Sequence, residues 1–345
     1  MSQETQGNVP PKSNSSNRIG ITLGDPSGIG PEIVLKAIAD QEIRRGSDLI
    51  IIGSLEILRS TARSLGFDFE FSPNESGSSA NAIAVADPGD LPSRAEPGRE
   101  SAESGKAAAR CIEMAVNMWK TGKIDAISTA PISKNALALA GYKYPGHTEF
   151  LADLTNTKEF AMSFFADDLR VVLLSTHFSL LDAIAMVKTE SLVKLIRFTH
   201  FQLSGLLKKN VRIAVAGLNP HASEGGMFGD EEAREIIPAV EKCRTEFGID
   251  VSGPFSSDTI FLRGYRGEFE AIIACYHDQA TIAVKCLSFG SAVNVTLGLP
   301  LIRTSVDHGT AFDIAGKGVA DESSMKAALR TAKELIGLSK SAARI

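Results

Sequence analysis

Short apolar runs alternate along this chain with longer segments of helical periodicity, and this alternation restricts the folds open to it. Several runs are rich in Val and Ile and apolar at consecutive positions, which is typical of strands buried on both faces of a parallel sheet. Strands that alternate with helices predict an α/β architecture. The strand-like runs are Arg18–Leu23, Asp48–Ile52, Ile124–Thr129, Leu169–Ser175, Val211–Ala216, Ala271–Tyr276 and Ala292–Leu297.

Helix-like segments lie between these runs, near Pro31–Asp40, Leu55–Leu65, Ser101–Lys120, Ser191–Leu207, Glu231–Glu246 and Ser323–Ile336. The last of them is expected to stop at Gly337, because glycine is typical of the position after a helix. The stretch Ser72–Arg99 is rich in Ser, Pro, Gly, Asn and Glu, and we expect it to form surface loops.

The length of 345 residues suggests about two domains, at roughly 150 residues for each domain. No clean linker divides the chain, so we expect two lobes that share it discontinuously. Residues 1–17 are polar and lack the apolar stretch of a secretory signal, which predicts a disordered tail.

Composition disfavours several classes of protein. The chain has 36 basic and 41 acidic residues and no basic cluster, so a nucleic-acid partner is not expected. A run of about 18 apolar residues, the minimum for a membrane-spanning helix, does not occur. The four cysteines form no CxxC pair, which favours buried free thiols and a reducing, cytoplasmic location.

Three histidines follow strand-like runs and suggest a metal site. His177, His221 and His277 each end or closely follow such a run, and the ends of neighbouring parallel strands meet at one sheet edge. Three imidazoles with open positions suit a catalytic divalent metal such as zinc. Asp278 could orient a ring nitrogen of His277, act as a further ligand, or simply cap a helix. A packed loop position is the alternative for each histidine, and His200 lies inside a helix-like segment as a structural residue.

Other motifs are candidates for binding an anion. The turn G-D-P-S-G-I-G-P-E (24–32) opens a helix and could present backbone N–H groups, although a plain structural turn is the alternative. His147 and Thr148 stand at a probable helix start, where capping alone would also explain them. Arg303 is a lone cation among apolar neighbours and suits a carboxylate or phosphate, or else a structural ion pair. Lys285 and Asn294 complete this group of candidates.

Several longer motifs extend over residues 18–340. They are T-L-G-D-P-S-G-I-G-P-E-I (22–33), T-A-P-I-S-K (129–134), Y-P-G-H-T-E-F-L-A (144–152), S-T-H-F-S-L (175–180), A-V-A-G-L-N-P-H-A-S-E-G-G (214–226), F-G-D-E-E (228–232), S-D-T-I-F (257–261), Y-H-D-Q (276–279) and N-V-T-L-G-L-P-L-I-R-T-S-V-D-H-G-T-A-F-D-I-A-G-K-G (294–318). Together they resemble the 4-hydroxythreonine-4-phosphate dehydrogenase (PdxA) family of vitamin B6 biosynthesis.

The resemblance implies a fold like that of isocitrate and isopropylmalate dehydrogenases. Two α/β lobes would form the active site in the cleft between them and at a dimer interface. Residues 18–130 and 298–345 would make the first lobe, and residues 131–297 the second lobe, with the metal ligands and the dimer contacts. A homodimer is implied, in which one ligand histidine comes from the other subunit.

The resemblance also implies roles for individual residues. The metal ligands would be His177, His221 and His277, with zinc favoured over magnesium or cobalt. The substrate contacts would be His147, Thr148, Lys285, Asn294 and Arg303. NAD, or NADP, would contact His308, Gly309, Thr310, Ala311 and Asp313. The residue that takes the hydroxyl proton stays open among Lys134, Asp258 and Asp278.

The implied reaction is oxidation of 4-phosphohydroxy-L-threonine at C3, followed by decarboxylation to 3-amino-2-oxopropyl phosphate. The alternatives with the same fold are oxidation of 4-phospho-D-threonate, 4-phospho-D-erythronate or an aromatic cis-dihydrodiol. A metal-dependent hydrolase without nicotinamide and a non-catalytic binding protein are hypotheses from other classes. Two residues depart from the family pattern, because Ala280 follows Y-H-D-Q and Ser223 stands in N-P-H-A-S-E-G-G at positions where glycine is common.

Overall fold

The computed structural model of the protein describes residues 17–73, 82–288 and 290–342. Within these residues, twelve strands form one mixed sheet in the order β3-β4-β2-β1-β5-β12-β11-β6-β7-β10-β8-β9. The strands are β1 (Asn17–Thr22), β2 (Ser47–Ile52), β3 (Glu70–Ser72), β4 (Ala82–Ala86), β5 (Ala126–Thr129), β6 (Ala161–Ala166), β7 (Leu169–Leu173), β8 (Ile213–Ala216), β9 (Val251–Phe255), β10 (Ala271–Ala274), β11 (Val293–Leu297) and β12 (Ile302–Ser305). The predicted α/β architecture is confirmed.

Helices cover both faces of the sheet. They are α1 (Gly30–Ala39), α2 (Gln41–Arg44), α3 (Leu55–Ser64), α4 (Ala102–Lys120), α5 (Lys134–Leu139), α6 (His147–Leu154), α7 (Leu180–Ala185), α8 (Thr189–Leu207), α9 (Ile237–Phe247), α10 (Ser257–Tyr265), α11 (His277–Ser288) and α12 (Ser323–Ala342). No helix in the described part of the chain is long and apolar enough to cross a membrane.

Strand direction divides the sheet near its centre. Strand β11 runs antiparallel to both β12 and β6, and β6 runs antiparallel to β7. The outer parts of the sheet are parallel, because helices α1, α3 and α4 on one side, and α8 to α11 on the other, connect their strands. Helix α12 packs across the centre, with Met325 and Leu329 in the core of one half and Ala328 and Leu335 in the core of the other.

The packing of α5 and α6 bears on the proposed lobes. Both helices pack against α4, and Leu137, Phe150 and Leu151 share an apolar core with residues of that helix. Sequence alone placed these two helices in the lobe of residues 131–297. The lobe boundaries stay a prediction, and the expected tail of residues 1–17 lies outside the described residues except for Asn17, which begins β1.

Two local expectations were wrong. Ser72–Arg99 does not consist only of surface loops, because Ala82–Ala86 forms a fully buried strand between β2 and β3. The polar residues on both sides of A-I-A-V-A hid this strand, and residues 74–81 lie outside the described ones. Helix α12 also continues past Gly337 to Ala342. A glycine inside a helix costs only about 1 kcal/mol, and Lys340 in the last turn contacts Asn17 and Asp125.

Candidate active site

Two predicted metal ligands meet at one edge of the sheet. Strands β7, β10 and β8 are neighbours and parallel, so their carboxyl ends lie side by side. His177 follows β7 and His277 begins α11 after β10, and the centroids of their imidazole rings lie 5.7 Å apart. Both line a cavity of about 350 Å³. His221 follows β8 but is not among the residues that line this cavity.

The His177–His277 pair suits a metal that binds neutral imidazole. Burial and the nearby charges of Lys134 and His277 lower the pKa of His177, which favours the neutral, ligating form. Two imidazoles on one tetrahedral zinc hold their ring centroids roughly 5 Å apart, given Zn–N bonds of about 2 Å. His277 Nδ1 donates to Asp278 Oδ1 at 2.7 Å, and this hydrogen bond leaves Nε2 free to ligate.

The pair makes only part of a metal site. Among the described residues, no group of three or more His, Cys, Asp or Glu side chains is arranged to hold a metal. The two imidazoles fit the donor set expected for zinc, and a catalytic zinc site needs a third protein ligand. His221 is exposed on the turn Pro220–Gly226, with its ring 6.3 Å from that of Phe228.

Arg303 gives the cavity a buried positive charge. Its side chain is 3% exposed on β12, and its guanidinium donates to Asn294 Oδ1, Thr296 Oγ1 and Thr129 Oγ1 at 2.9–3.2 Å. Within the described residues Arg303 makes no salt bridge, so the structural ion pair considered above is absent there. Burial lowers the pKa of Arg303 to about 10, which still leaves it cationic near neutral pH. A buried cation without a salt bridge is costly; the Glu149 carboxylate offsets part of that cost, and an anionic ligand would offset more of it.

Three buried ring or guanidinium nitrogens at this cavity have no hydrogen-bond partner among the described residues. They are Arg303 Nε, His147 Nε2 and His308 Nε2. His147 begins helix α6, and its other ring nitrogen, Nδ1, donates a hydrogen bond to the Ala130 carbonyl. Burial and the Arg303 charge lower the pKa of His147 well below its usual value, so the ring is neutral. Buried polar atoms without a partner call for an explanation, and these three belong to residues that line the same cavity as the guanidinium.

Thr148, Asn294 and Lys134, three of the predicted site residues, also line the cavity. Lys134 begins helix α5. Its two neighbours in the chain, Ser133 and Asn135, both donate hydrogen bonds to the Glu100 carboxylate. This carboxylate fixes the start of the helix that carries the lysine.

Two other predicted residues lie outside the cavity lining. Lys285, on α11, approaches the cavity residue Asp307, with Nζ 3.4 Å from its carbonyl oxygen and 3.8 Å from Oδ2. Asp258 stands exposed in the first turn of α10 and accepts a hydrogen bond from Ser256. Of the three candidates for the proton acceptor, Lys134 therefore lines the cavity near the histidine pair, and Asp278 is hydrogen-bonded to His277.

The loop predicted to bind the nicotinamide cofactor reaches the cavity. His308 and Gly309 line it, whereas Thr310 packs against the glycine-rich turn. A Cβ on Gly28 would lie 2.9 Å from the Thr310 carbonyl oxygen, which accepts a hydrogen bond from Ile29 N at 3.0 Å. Ala311 adopts a left-handed conformation with φ 43°. Asp313 is exposed further along the same loop.

The glycine-rich turn itself is structural. Four of its backbone N–H groups are used within the protein: Asp25 donates to Pro131, Ser27 and Gly28 donate to Asp25, and Ile29 donates to Thr310, all at 2.8–3.1 Å. These four groups are therefore not free to bind an anion. The turn instead brings the loop from His308 onward beside the cavity.

Sequence reasoning missed two acidic residues of the cavity, Glu149 and Asp307. Both stand next to predicted residues, Glu149 after Thr148 and Asp307 before His308. That adjacency was the available signal. The two carboxylates give the cavity negative charge beside Arg303 and Lys134, so it can bind a ligand that carries both charges.

Comparison with known proteins identifies a family that this chain matches. The family described as pyridoxal phosphate biosynthetic protein PdxA matches residues 45–332. A D-threonate 4-phosphate dehydrogenase from Cupriavidus necator is 46% identical over 322 residues, which are 92% of this chain and 96% of the relative. A 4-hydroxythreonine-4-phosphate dehydrogenase from Beijerinckia indica is 43% identical over 321 residues, 92% of this chain and 94% of the relative.

A solved structure agrees with these relatives. The crystal structure of 4-hydroxythreonine-4-phosphate dehydrogenase from Klebsiella pneumoniae superposes with a TM-score of 0.84 at 39% identity. The match covers 94% of this chain and 99% of the other. Similarity therefore extends over both halves of the sheet and over every element that lines the cavity.

Proposed function

This chain belongs to the PdxA family and is an oxidoreductase, and we propose that it oxidises the C3 hydroxyl of a 4-phosphorylated 3-hydroxy acid with NAD or NADP and a divalent metal. The observation that carries the proposal is the position of Arg303. Its buried guanidinium has no salt bridge among the described residues and faces the cavity that holds the His177–His277 pair.

Different side chains of the cavity would bind different groups of the substrate. Arg303 binds an anionic group of the substrate, and the unpartnered Nε2 of neutral His147 can accept a hydrogen bond from a substrate hydroxyl. Thr148 and Asn294 supply further polar contacts, and Lys285 reaches the rim through Asp307. Fixing the substrate at several points holds C3 in place, and such positioning contributes several kcal/mol to rate enhancement.

Lys134 is the proposed proton acceptor. Of the three candidates it is the one that lines the described cavity, whereas Asp278 is engaged by His277 and Asp258 lies outside. As the neutral amine, Lys134 Nζ would take the proton of the C3 hydroxyl as the hydride leaves C3. When bound, a nicotinamide would accept this hydride, and a divalent cation held by the histidines would stabilise negative charge on the substrate oxygen.

Decarboxylation follows from the product of oxidation. A ketone at C3 makes the substrate a β-keto acid, so the bond between C2 and the carboxyl carbon can break, with its electron pair passing towards the ketone oxygen. Carbon dioxide leaves, and C2 gains a proton. From 4-phosphohydroxy-L-threonine this sequence gives 3-amino-2-oxopropyl phosphate.

Two substrates of this class differ only at C2. Sequence analysis favoured 4-phosphohydroxy-L-threonine, with an amino group, over 4-phospho-D-threonate, with a hydroxyl. The Cupriavidus necator relative, at 46% identity, is named for D-threonate 4-phosphate, and the Beijerinckia indica relative, at 43%, for 4-hydroxythreonine 4-phosphate. Identity therefore favours 4-phospho-D-threonate as the preferred substrate. An aromatic cis-dihydrodiol that carries no carboxylate would leave Arg303 without an anionic partner.

A homodimer would complete the metal site. His177 and His277 lie together in one subunit, whereas His221 is exposed on a separate turn. We therefore propose that the partner subunit's His221 supplies the third ligand. Large apolar side chains are exposed near these histidines and would be buried by such a dimer; they are Phe178, Leu180, Leu181, Met227, Phe228 and Ile282.

The test is formation of reduced nicotinamide by the zinc-loaded protein, with 4-phospho-D-threonate and 4-phosphohydroxy-L-threonine assayed in parallel. Activity that a chelator abolishes and zinc restores is expected, with a higher kcat/KM for 4-phospho-D-threonate. A higher kcat/KM for the amino acid would reverse the order of the two substrates. Hydrolysis of either compound without nicotinamide would contradict the proposal and support the hydrolase.

A further inference from the structure

The turn that carries His221 has an unusual backbone. Five consecutive residues, from His221 to Gly225, have φ between 44° and 71°, in the left-handed region. Four of these five are not glycine, and each such residue in this region is disfavoured by contact between its Cβ and the backbone. The turn therefore holds this shape because other contacts outweigh the strain.

Glu232 makes those contacts. Its carboxylate is 2% exposed and accepts hydrogen bonds from Leu218 N at 2.8 Å, Asn219 N at 2.7 Å and Asn219 Nδ2 at 2.9 Å. Ser223, inside the left-handed stretch, donates its hydroxyl to the same carboxylate. Within the described residues Glu232 forms no ion pair. These hydrogen bonds come from residues on either side of His221, and they lower the pKa of Glu232 against the effect of burial.

The backbone at Glu232 is itself irregular. Glu232–Ile236 forms a single π-helical turn before α9, a feature that occurs often at functional sites. Asn219 also donates to Glu231, so two adjacent carboxylates hold the start of the His221 turn. Ser223 is almost fully buried at φ 71°, where glycine would be strain-free. Its hydroxyl gives a reason for a serine at that position.

We propose that Glu232 and Ser223 are positioning residues that hold His221 in the conformation in which it ligates the metal of the partner subunit. The inference rests on the proposed function, in which the partner subunit's His221 completes the site. Glu232 does not touch the metal or the substrate. It fixes the turn before the dimer forms, so that the imidazole loses little conformational freedom on binding.

The decisive variant is Glu232→Gln, which keeps the size of the side chain. One carboxylate oxygen of Glu232 accepts the two backbone N–H groups, and the other accepts Asn219 Nδ2 and Ser223 Oγ. An amide nitrogen placed at either position faces donors and accepts none of them. The matched control is Glu270→Gln, a buried carboxylate in the same half of the sheet that pairs with Arg212 and Lys209 instead.

The readout is metal binding to the full-length dimer. Each variant is titrated with Co²⁺ in competition with a chelator, the visible spectrum of the cobalt-loaded protein is recorded, and thermal unfolding checks the fold. Glu232→Gln is expected to weaken Co²⁺ binding by about tenfold or more and to alter the spectrum, as loss of supporting hydrogen bonds at metal sites does. Glu270→Gln is expected to lower the unfolding temperature and leave the cobalt affinity and spectrum unchanged.

Two further variants keep the outcomes distinct. If Glu232→Gln does not fold, Ser223→Ala decides, with weaker Co²⁺ binding expected and unchanged binding contrary to the proposal. His221→Ala tests the shared site itself: wild-type cobalt affinity and spectrum in that variant would overturn the proposed role of His221 and this inference with it. Weak binding in His221→Ala together with wild-type binding in Glu232→Gln would overturn only the positioning role.

Discussion

The imidazole rings of His177 and His277 lie 5.7 Å apart at the carboxyl ends of two neighbouring parallel strands. The next strand in the sheet, β8, leads to His221, whose exposed side chain does not line their cavity. A two-histidine pair beside an exposed third histidine is the arrangement expected when a symmetric dimer shares its metal sites. Each subunit would then give two ligands to one site and one ligand to the other.

Mixed dimers test this arrangement directly. His177→Ala and His221→Ala are each expected to be inactive as homodimers, because each lacks a ligand in both sites. In a mixed dimer one site lacks two ligands and the other is complete. Random exchange of subunits makes about half of the dimers mixed, with one of two sites intact, so about a quarter of wild-type activity is expected.

The measurement is nicotinamide reduction after the two variants are unfolded together and refolded. Mixing His177→Ala with His277→Ala is the control. Each site takes both of these histidines from a single subunit, so every site of this mixed dimer lacks one ligand. Recovery in the control, or no recovery in the test pair despite mixed dimers, would contradict sharing of the site.

Arg303→Met should separate binding from stability. The variant removes the charge that faces the cavity, and a hydrogen bond to a charged group is worth about 1.5–3 kcal/mol. A ten- to hundredfold fall in kcat/KM is therefore expected, roughly tenfold for each 1.4 kcal/mol. The protein should stay folded, since removing a buried cation that has no salt bridge in the described structure offsets the loss of its hydrogen bonds to Asn294, Thr296 and Thr129.

Steady-state kinetics and thermal unfolding measure both effects. Arg303→Lys keeps a positive charge but not the planar fork, and it should not restore kcat/KM. Arg170→Met, at a half-buried arginine on β7 away from the cavity, is the control and should leave kcat/KM unchanged. Wild-type kinetics in Arg303→Met would remove the main support for an anionic substrate.

Much of the fold was predictable because buried parallel strands leave a strong pattern. The Val- and Ile-rich runs became β1, β2, β7, β8 and β10, and the placement of histidines after parallel strands followed from the same pattern. The short strand Ala82–Ala86 was missed, since alanine-rich runs in polar surroundings carry little strand signal. The antiparallel direction of β11 at the centre depends on its pairing with β6, which is distant in sequence, as well as with β12.

The site was predictable in part for a different reason. Arg303 was noticed as a lone cation in an apolar run, but the absence of a described salt bridge depends on tertiary structure. Glu149 and Asp307 escaped notice, because a carboxylate in the first turn of a helix or in a loop usually faces solvent. The role of Glu232 depends on the three-dimensional path of the turn from Leu218 to Ser223, and nothing in the local sequence indicates that path.

His147 should make stability depend on pH. Burial lowers the pKa of this histidine in the folded state below its unfolded value of about 6.5. Above that value the ring is neutral in both states and its contribution to stability is complete. Below it, the unfolded chain binds a proton that the folded protein does not, so the free energy of unfolding falls by up to about 1.4 kcal/mol per pH unit.

Urea unfolding of the metal-free protein between about pH 7.5 and pH 5 measures the slope. His147→Asn keeps a donor for the Ala130 carbonyl and does not titrate, so its stability should fall less steeply over this range. Other groups contribute equally to both proteins and cancel in the difference. Parallel curves for the two proteins would show that the ring binds protons equally in the folded and unfolded states.

Gly28→Ala should weaken binding of the nicotinamide cofactor. Its Cβ would lie 2.9 Å from the Thr310 carbonyl oxygen and 3.0 Å from Thr310 Cβ, so the loop from His308 to Asp313 must move. Overpacking of this kind costs about 1–3 kcal/mol. If that loop binds the dinucleotide, KM for NAD rises by about ten- to hundredfold. The affinity for the phosphorylated acid, measured without cofactor, stays near the wild-type value, because Arg303 and His147 lie on other elements.

Gly205→Ala in α8 is the control, since a Cβ there meets no atom within 4 Å. An equal loss of affinity for cofactor and acid in Gly28→Ala would show that the loop supports the whole cavity rather than the cofactor, and an unchanged KM for NAD would place the dinucleotide elsewhere.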